Sequence, residues 1–394
     1  MNRTIITAPR LFDGRDRVIE GGAAIVIDEN RIIYAGKQSE LSGKTQEHLI
    51  AFEEGTILPG LIDAHVHLTM DGSDDPVTKA QTDSIATASF RAVQNAARQI
   101  KGGVTTVRDC GSQGYIAVDL AIAVKNSIVE MAPRIIACGP AICITGGHGS
   151  FVGMEADGPE EMRKAVRTVI KKGASFIKVI TTGGVLTRGT NTITTQMSKE
   201  ELEAVAQEAH KFGVLTTTHA HAAEGIKLAI KAGFDSIDHA TYWDEEIIQL
   251  FKETKAFCIP TLLSSVRQME HLDEIPSYIA EKIKRHIDKE NESVSRYIEA
   301  GVSLAGATDA GTPFNMHGDL AEQLLLLSEH GLNNRKALQA GTYGSACAIG
   351  LEKETGSLEN GKSADILVVK GDPLENLHCL KNIQGVWREG KHLL

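Results

Sequence analysis

The sequence predicts an α/β fold: a (β/α)8 TIM-like barrel of parallel strands, with a small β-sandwich domain built from both termini. Three observations predict it. About eight apolar strand-like segments alternate with helix-like crossovers through the middle of the chain. Short β-branched runs broken by turn dipeptides occupy both ends. Residues of metal-binding type recur where the middle strands stop. A length of 394 residues suits one large barrel with an appendage. An open doubly wound sheet is the competing arrangement, disfavoured by the number of units and by the absence of a glycine-rich dinucleotide turn.

In chain order, Thr4–Thr7 and Ala23–Asp28 are short strands, broken by Asp13-Gly14 and Asp28-Glu29-Asn30. They begin the sandwich, expected over residues 1–57. The barrel is expected over 58–352 and opens with Leu58-Pro-Gly-Leu-Ile-Asp-Ala-His-Val-His-Leu68. Side chains alternate along a strand, so His65 and His67 project to one side and aim two imidazoles at one point. Two neutral ring nitrogens are what a divalent metal takes as its first ligands. Val104–Asp109 is the second strand, followed by an apolar-periodic helix around Ala117 to Val129 and a strand from Arg134 to Gly139. After a glycine-rich loop, Met162, Val166, Val169 and Ile170 form one stripe of a helix from Pro159 to about Lys172, which Gly173 stops. Phe176–Ile180 is a buried strand. Ser198 with Glu201 spells a capping box for the next helix, which ends at Gly213. Val214–His221, Ser236–His239, Phe257–Leu262 and Val302–Asp309 supply further strands. Gly361–Lys370 and Gln384–Gly390 return to the terminal pattern and complete the sandwich over 353–394.

A net charge of -10 with no Lys/Arg block argues against a nucleic-acid partner and gives no support to anionic membrane binding. No apolar run reaches the length of a signal peptide core or a membrane span, so a cytoplasmic protein is expected. The 6 cysteines are scattered without a Cys-x-x-Cys pair, which excludes a disulfide scaffold or a zinc ribbon and leaves reduced thiols, mostly interior.

The strand ends carry His65, His67, Asp109, Lys178, His219, His221, His239 and Asp309. His210, His271, His286, His330, His378 and His392 fall on helical or terminal stretches instead, where a solvated surface is expected. Lys178 stands between Phe176, Ile177, Val179 and Ile180. An ammonium there meets a large desolvation penalty, so it is paired, neutral or chemically altered. Carboxylation would make it a bidentate anion able to bridge two metals. A stem crossing the wall with its tip on a carboxylate is the alternative.

These residues resemble the amidohydrolase superfamily: the Leu-Pro-Gly-Leu-Ile-Asp-Ala-His-Val-His opening, Lys178 on its strand, the separate His219 and His239, Thr308-Asp309-Ala-Gly311, and Lys362-Ser-Ala-Asp-Ile-Leu-Val368. Within it, the chain resembles the metal-dependent dipeptidases and carboxypeptidases related to imidazolonepropionase, prolidase-like and Xaa-Arg/Lys-specific enzymes among them. The resemblance implies two divalent ions, zinc by expectation. His65, His67 and Asp309 would bind the more buried one and His219 and His239 the second, with carboxylated Lys178 and a hydroxide bridging them. It implies attack of that hydroxide on the amide of a dipeptide or N-acyl amino acid next to a free C-terminal carboxylate, with Asp309 as general acid and base. His148, in the loop Ile144–Gly149, would point a donor at the developing oxyanion. Tyr242 by similarity, and Arg188 as a bidentate guanidinium, are candidates for the substrate carboxylate. His221 shares the face of His219 and is read as a pocket residue rather than a further ligand. Leu186-Thr-Arg-Gly-Thr190 and His219-Ala-His221 depart from the prolidase pattern, which weakens a strict proline preference. A small-molecule substrate and a homo-oligomer are expected. A cyclic-amide hydrolase of the imidazolonepropionase or hydantoinase kind is the second reading, and a non-catalytic scaffold the third.

Overall fold

The structure is a computed structural model that describes residues 3–41 and 48–394. The N-terminal part supplies β1 (Thr4–Phe12), β2 (Val18–Asp28), β3 (Arg31–Lys37), β4 (His48–Ala51) and β5 (Thr56–Pro59). The middle supplies β6 (Leu61–Val66), β7 (Val104–Asp109), β8 (Arg134–Ala137), β9 (Ala141–Cys143), β10 (Gly153–Glu155), β11 (Ile177–Ile180), β12 (Thr216–Ala220), β13 (Ser236–His239) and β14 (Phe257–Ile259). The C-terminal part adds β15 (Ile366–Val369), β16 (Ile383–Arg388) and β17 (Lys391–His392).

Both ends of the chain share one sheet, ordered β17-β16-β15-β5-β1-β2-β3 with β4 on β1. Its joint is antiparallel pairing of β5 with β15, Ile57 opposite Val368. The alternation of β-branched residues puts Ile6, Ile25, Ile57, Ile366 and Trp387 on one buried face. Each large apolar side chain buried there contributes about 1.5–3 kcal/mol.

The middle strands are parallel and run in two sheets, β6-β7-β8 and β10-β9-β11-β12-β13-β14. Backbone hydrogen bonds tie the sheets to each other and to the segment expected as the eighth strand. Ser175 N donates to Ala137 O at 2.8 Å, Ala305 N to Cys258 O at 3.2 Å, and Asp309 N to His65 O at 2.9 Å. That segment, Val302–Asp309, forms only an isolated bridge, Leu304 with Cys258, and the next residue, Ala310, bridges Val66. The left-handed φ of 58° at Asp309 interrupts its extended run.

The crossover helices follow their sequence signals. The helix Gly158–Lys171 turns Met162, Val166 and Val169 onto Ile142, Ile177 and Val179 of the strands beneath. Ser198 and Glu201 form both hydrogen bonds of a capping box at the start of Lys199–Lys211. All six cysteines are free; Cys110, Cys138, Cys143 and Cys258 are buried. Among the described residues, no helix is long and apolar enough to cross a membrane.

Candidate active site

The parallel strands aim their C-terminal ends at one cavity. His65 and His67 enter it from β6 and the residue after, on one face as strand alternation requires. Their Nε2 atoms lie 3.3 Å apart, and Asp309 Oδ1 lies 3.4 Å from the first and 3.2 Å from the second. His67 Nδ1 donates to Gly111 O at 2.9 Å, which turns Nε2 toward the cavity and Asp309. Burial pushes the Asp309 carboxyl up, but the hydrogen bond from His67 and the charges of His65 and His67 outweigh it and hold it below the ordinary carboxylate range.

A second group faces the first. His219 on β12, His221 just beyond it and His239 at the end of β13 offer ligand atoms within 4.8 Å of one another. The ring centroids of His219 and His239 are 4.6 Å apart, and that of His239 is 5.1 Å from that of His65. Thr261 Oγ1 holds His239 Nδ1 at 2.7 Å, and Thr241 Oγ1 holds His221 Nδ1 at 2.8 Å. His219 Nε2 is buried without a hydrogen-bond partner. Burial drives His219, His221 and His239 well below the usual imidazole range, and His65 down to about 4 with help from the Lys178 charge. Neutral imidazoles with free nitrogens, set around an ionised carboxylate, are the state in which these residues bind a metal. His239 has φ 69° and Asp309 φ 58°, backbone conformations that L-residues seldom adopt, at the points where these side chains turn into the cavity.

Lys178, on β11, also lines the cavity, and its ammonium is ion-paired with Asp238. Asp238 is fully buried and further held by Arg108 at 3.0 Å and Thr217 Oγ1 at 3.0 Å, with His65 Nδ1 3.3 Å away. Beneath the metal-type residues therefore lies a closed charge network that the strand-end survey missed. Arg108 stands in an apolar strand as Lys178 does, so the argument that singled out Lys178 applies to it equally. Asp63, also missed, accepts hydrogen bonds from Thr308 N at 3.0 Å and Oγ1 at 2.6 Å and so locks β6 to the residue preceding Asp309.

His148 lines the cavity with its ring centroid 4.5 Å from that of His219 and its Nδ1 2.9 Å from Thr187 Oγ1. Burial, and then the Lys282 charge, lower it to about 3, so it is a neutral donor or acceptor. Tyr242 and Arg188 are not brought to the cavity wall. The Tyr242 hydroxyl lies 3.3 Å from Thr192 Oγ1, and Arg188 is exposed with its guanidinium 5.0 Å from the Tyr278 ring centroid. Asp109 turns to the backbone instead, accepting from Leu68 N at 2.8 Å. His286, expected at the surface, is a correction: it is 1% exposed and lines the cavity, because the helix Ser277–Ala300 lays Ile283, His286 and Glu290 along its inner face.

The His148 ring packs on Gly184, where an added Cβ would fall 2.3 Å from its Nε2. Gly184→Ala is expected to displace that ring and lower kcat roughly 10-fold or more, with metal content unchanged, as steady-state kinetics and elemental analysis would read. Unaltered kcat would mean that the ring position does not matter to turnover.

Residues 56–393 match the Amidohydrolase family. Among solved structures, a Xaa-Pro dipeptidase with bound methionine in its active site is 33% identical, covering 99% of each chain at a TM-score of 0.91. Ochratoxinase from Aspergillus niger is 29% identical over 98% of this chain and 86% of its own length. Imidazolonepropionase from Sphingopyxis alaskensis is 25% identical over 92% of this chain and 90% of its own. With its strand-end histidines and aspartate converging as described, the chain belongs to the Amidohydrolase family, among the relatives of imidazolonepropionase.

Proposed function

We propose that this chain is a binuclear metal-dependent hydrolase that cleaves dipeptides or N-acyl amino acids at the amide next to a free C-terminal carboxylate. The scaffold is a closed (β/α)8 barrel over 58–352 with a β-sandwich from 1–57 and 353–394, a reading supported by the hydrogen bonds that tie Val302–Asp309 to both neighbouring strands. The observation that carries the proposal is the facing pair of ligand groups, His65, His67 and Asp309 against His219, His221 and His239.

His65, His67 and Asp309 would hold one ion and His219 and His239 the other, zinc being the expected metal for imidazole and carboxylate donors. Lys178, carboxylated, would be shared between them. That change removes its ammonium from Asp238, which keeps Arg108 and Thr217 as partners. When bound, such a pair acidifies a water and polarises the scissile carbonyl. Asp309 receives the proton of the attacking water and passes it to the leaving amine, a role that its ionised state and its place between the two histidines support. His148 donates to the carbonyl oxygen as charge develops, and Thr187 orients its ring. His221 stands beside His219 as a wall of the pocket. Tyr242 and Arg188 take the substrate carboxylate only if their segments approach the cavity. The likeness to a Xaa-Pro dipeptidase supports an acyclic amide substrate over a cyclic one.

A panel of dipeptides, N-acyl amino acids, hydantoins and imidazolones, assayed with metal-loaded protein, tests this. Cleavage confined to amides bearing a free C-terminal carboxylate is expected; turnover of the cyclic amides alone would move the chain to the other branch.

A further inference from the structure

The wall of the cavity formed by the helices Leu262–Glu270 and Ser277–Ala300 has a polar surface that the chemistry above leaves unused. Glu290 is 2% exposed, and its Oε2 has no hydrogen-bond partner. Ser265 is the hydroxyl that faces its carboxyl. His286, one turn earlier, presents Nε2 to Thr241 Oγ1 at 3.3 Å, which leaves Nδ1 without a partner. Gln268 spends its amide NH2 on Ser264 Oγ at 3.0 Å and leaves Oε1 without one. Three buried polar atoms without hydrogen-bond partners, among them the Gln268 and Glu290 oxygens, thus share one wall. Buried polar atoms are nearly always hydrogen-bonded, and a buried carboxylate without a counter-charge is costlier still.

Among the described residues, the other carboxylate and ammonium side chains lining the cavity are Lys178, already engaged by Asp238, and Asp309. No cation among the described residues pairs with Glu290.

We propose that Glu290, with Gln268 and His286, forms a specificity site for a cationic, hydrogen-bond-donating group of the substrate, an ammonium or a guanidinium. The proposal rests on the amide-hydrolase reading for the molecule that carries this group, either as a basic side chain or as the N-terminal ammonium of a dipeptide. Burial raises the Glu290 carboxyl to about 7, and a cation docking beside it would favour its charged form. The apolar neighbours Ile283 and Val185 line the same cavity and would cover the stem of such a group.

The test compares Ala–Lys, Ala–norleucine, N-acetyl-Lys and N-acetyl-norleucine on metal-loaded wild type and Glu290→Gln, a near-isosteric change that leaves the wall's shape intact. The ratio of kcat/KM for a cationic compound to that for N-acetyl-norleucine is expected to fall about 10- to 100-fold in the variant, mostly through KM. A fall shared by Ala–Lys and N-acetyl-Lys assigns the cation to the side chain; one shared by Ala–Lys and Ala–norleucine assigns it to the N-terminus. An unchanged ratio for all compounds overturns the proposal. Melting temperature controls for folding, and Gln268→Leu should lower the same ratio without touching a charge. If none of the four is cleaved, the amide-hydrolase reading fails on its own account, and calorimetric binding of the same compounds to both proteins makes the comparison. Binding that is blind to the cation, or absent, then overturns the specificity site.

Discussion

Lys178→Ala is expected to leave one divalent ion where the wild type holds two, and to lower kcat by about 10³–10⁴-fold, the scale of losing a central catalytic group. The physical reason lies in the donor count. His219 and His239 alone would give a divalent ion two protein ligands, and the carbamate proposed at Lys178 would supply the charge that holds it. Removing the side chain does not strand its present partner, because Asp238 retains Arg108 and Thr217. The variant should therefore fold, and its melting temperature checks this. His221 provides the sharpest contrast, since it already shares the second group of ligand atoms. Elemental analysis that finds both ions in Lys178→Ala, and one in His221→Ala, would transfer the third ligand from the lysine to that histidine.

Asp309→Asn is expected to lower kcat by about 10⁴-fold while retaining most of the metal, because His65, His67 and the carbamate proposed at Lys178 would remain as ligands and the asparagine oxygen could still coordinate, whereas the amide cannot carry the proton. Asparagine is the informative replacement. The backbone at Asp309 has φ 58°, which Asn tolerates nearly as well as Asp, whereas alanine would add backbone strain to the chemical loss. Single-turnover kinetics on metal-loaded protein would separate the two roles. A kcat within 10-fold of wild type would remove Asp309 from proton transfer.

The parts of this site that are legible in the sequence are those governed by strand periodicity. His65 and His67 share a face because side chains repeat every two residues, and His219 and His221 do so for the same reason. Their convergence follows from parallel strands ending on one side of the sheet. What strand ends do not reveal is the interior. Asp238 precedes His239 and by alternation should point away from it, yet the left-handed backbone at His239 lets both residues serve one centre. Arg108 lies under the site on a strand whose end, Asp109, drew attention instead. His286 and Glu290 were beyond reach for a different reason: a three-to-four-residue spacing shows that they share a helix face, but not whether that face meets water or a cavity. The eighth strand illustrates the opposite case. Its apolar run is real and its backbone is tied on both sides, but Asp309 leaves the extended conformation in order to reach the histidines.

The central claim is that the two facing groups of ligands hold a pair of divalent ions that the chemistry requires. Elemental analysis of the purified chain, before and after chelation and after addition of zinc or manganese, measures it most directly when each sample is also assayed for amide hydrolysis. Two ions per chain, with turnover that disappears on chelation and returns on metal addition, is the predicted result. A chain that takes up no stoichiometric metal and hydrolyses nothing after zinc or manganese is added would contradict the claim, and would leave the fold as a scaffold with the outline of an enzyme.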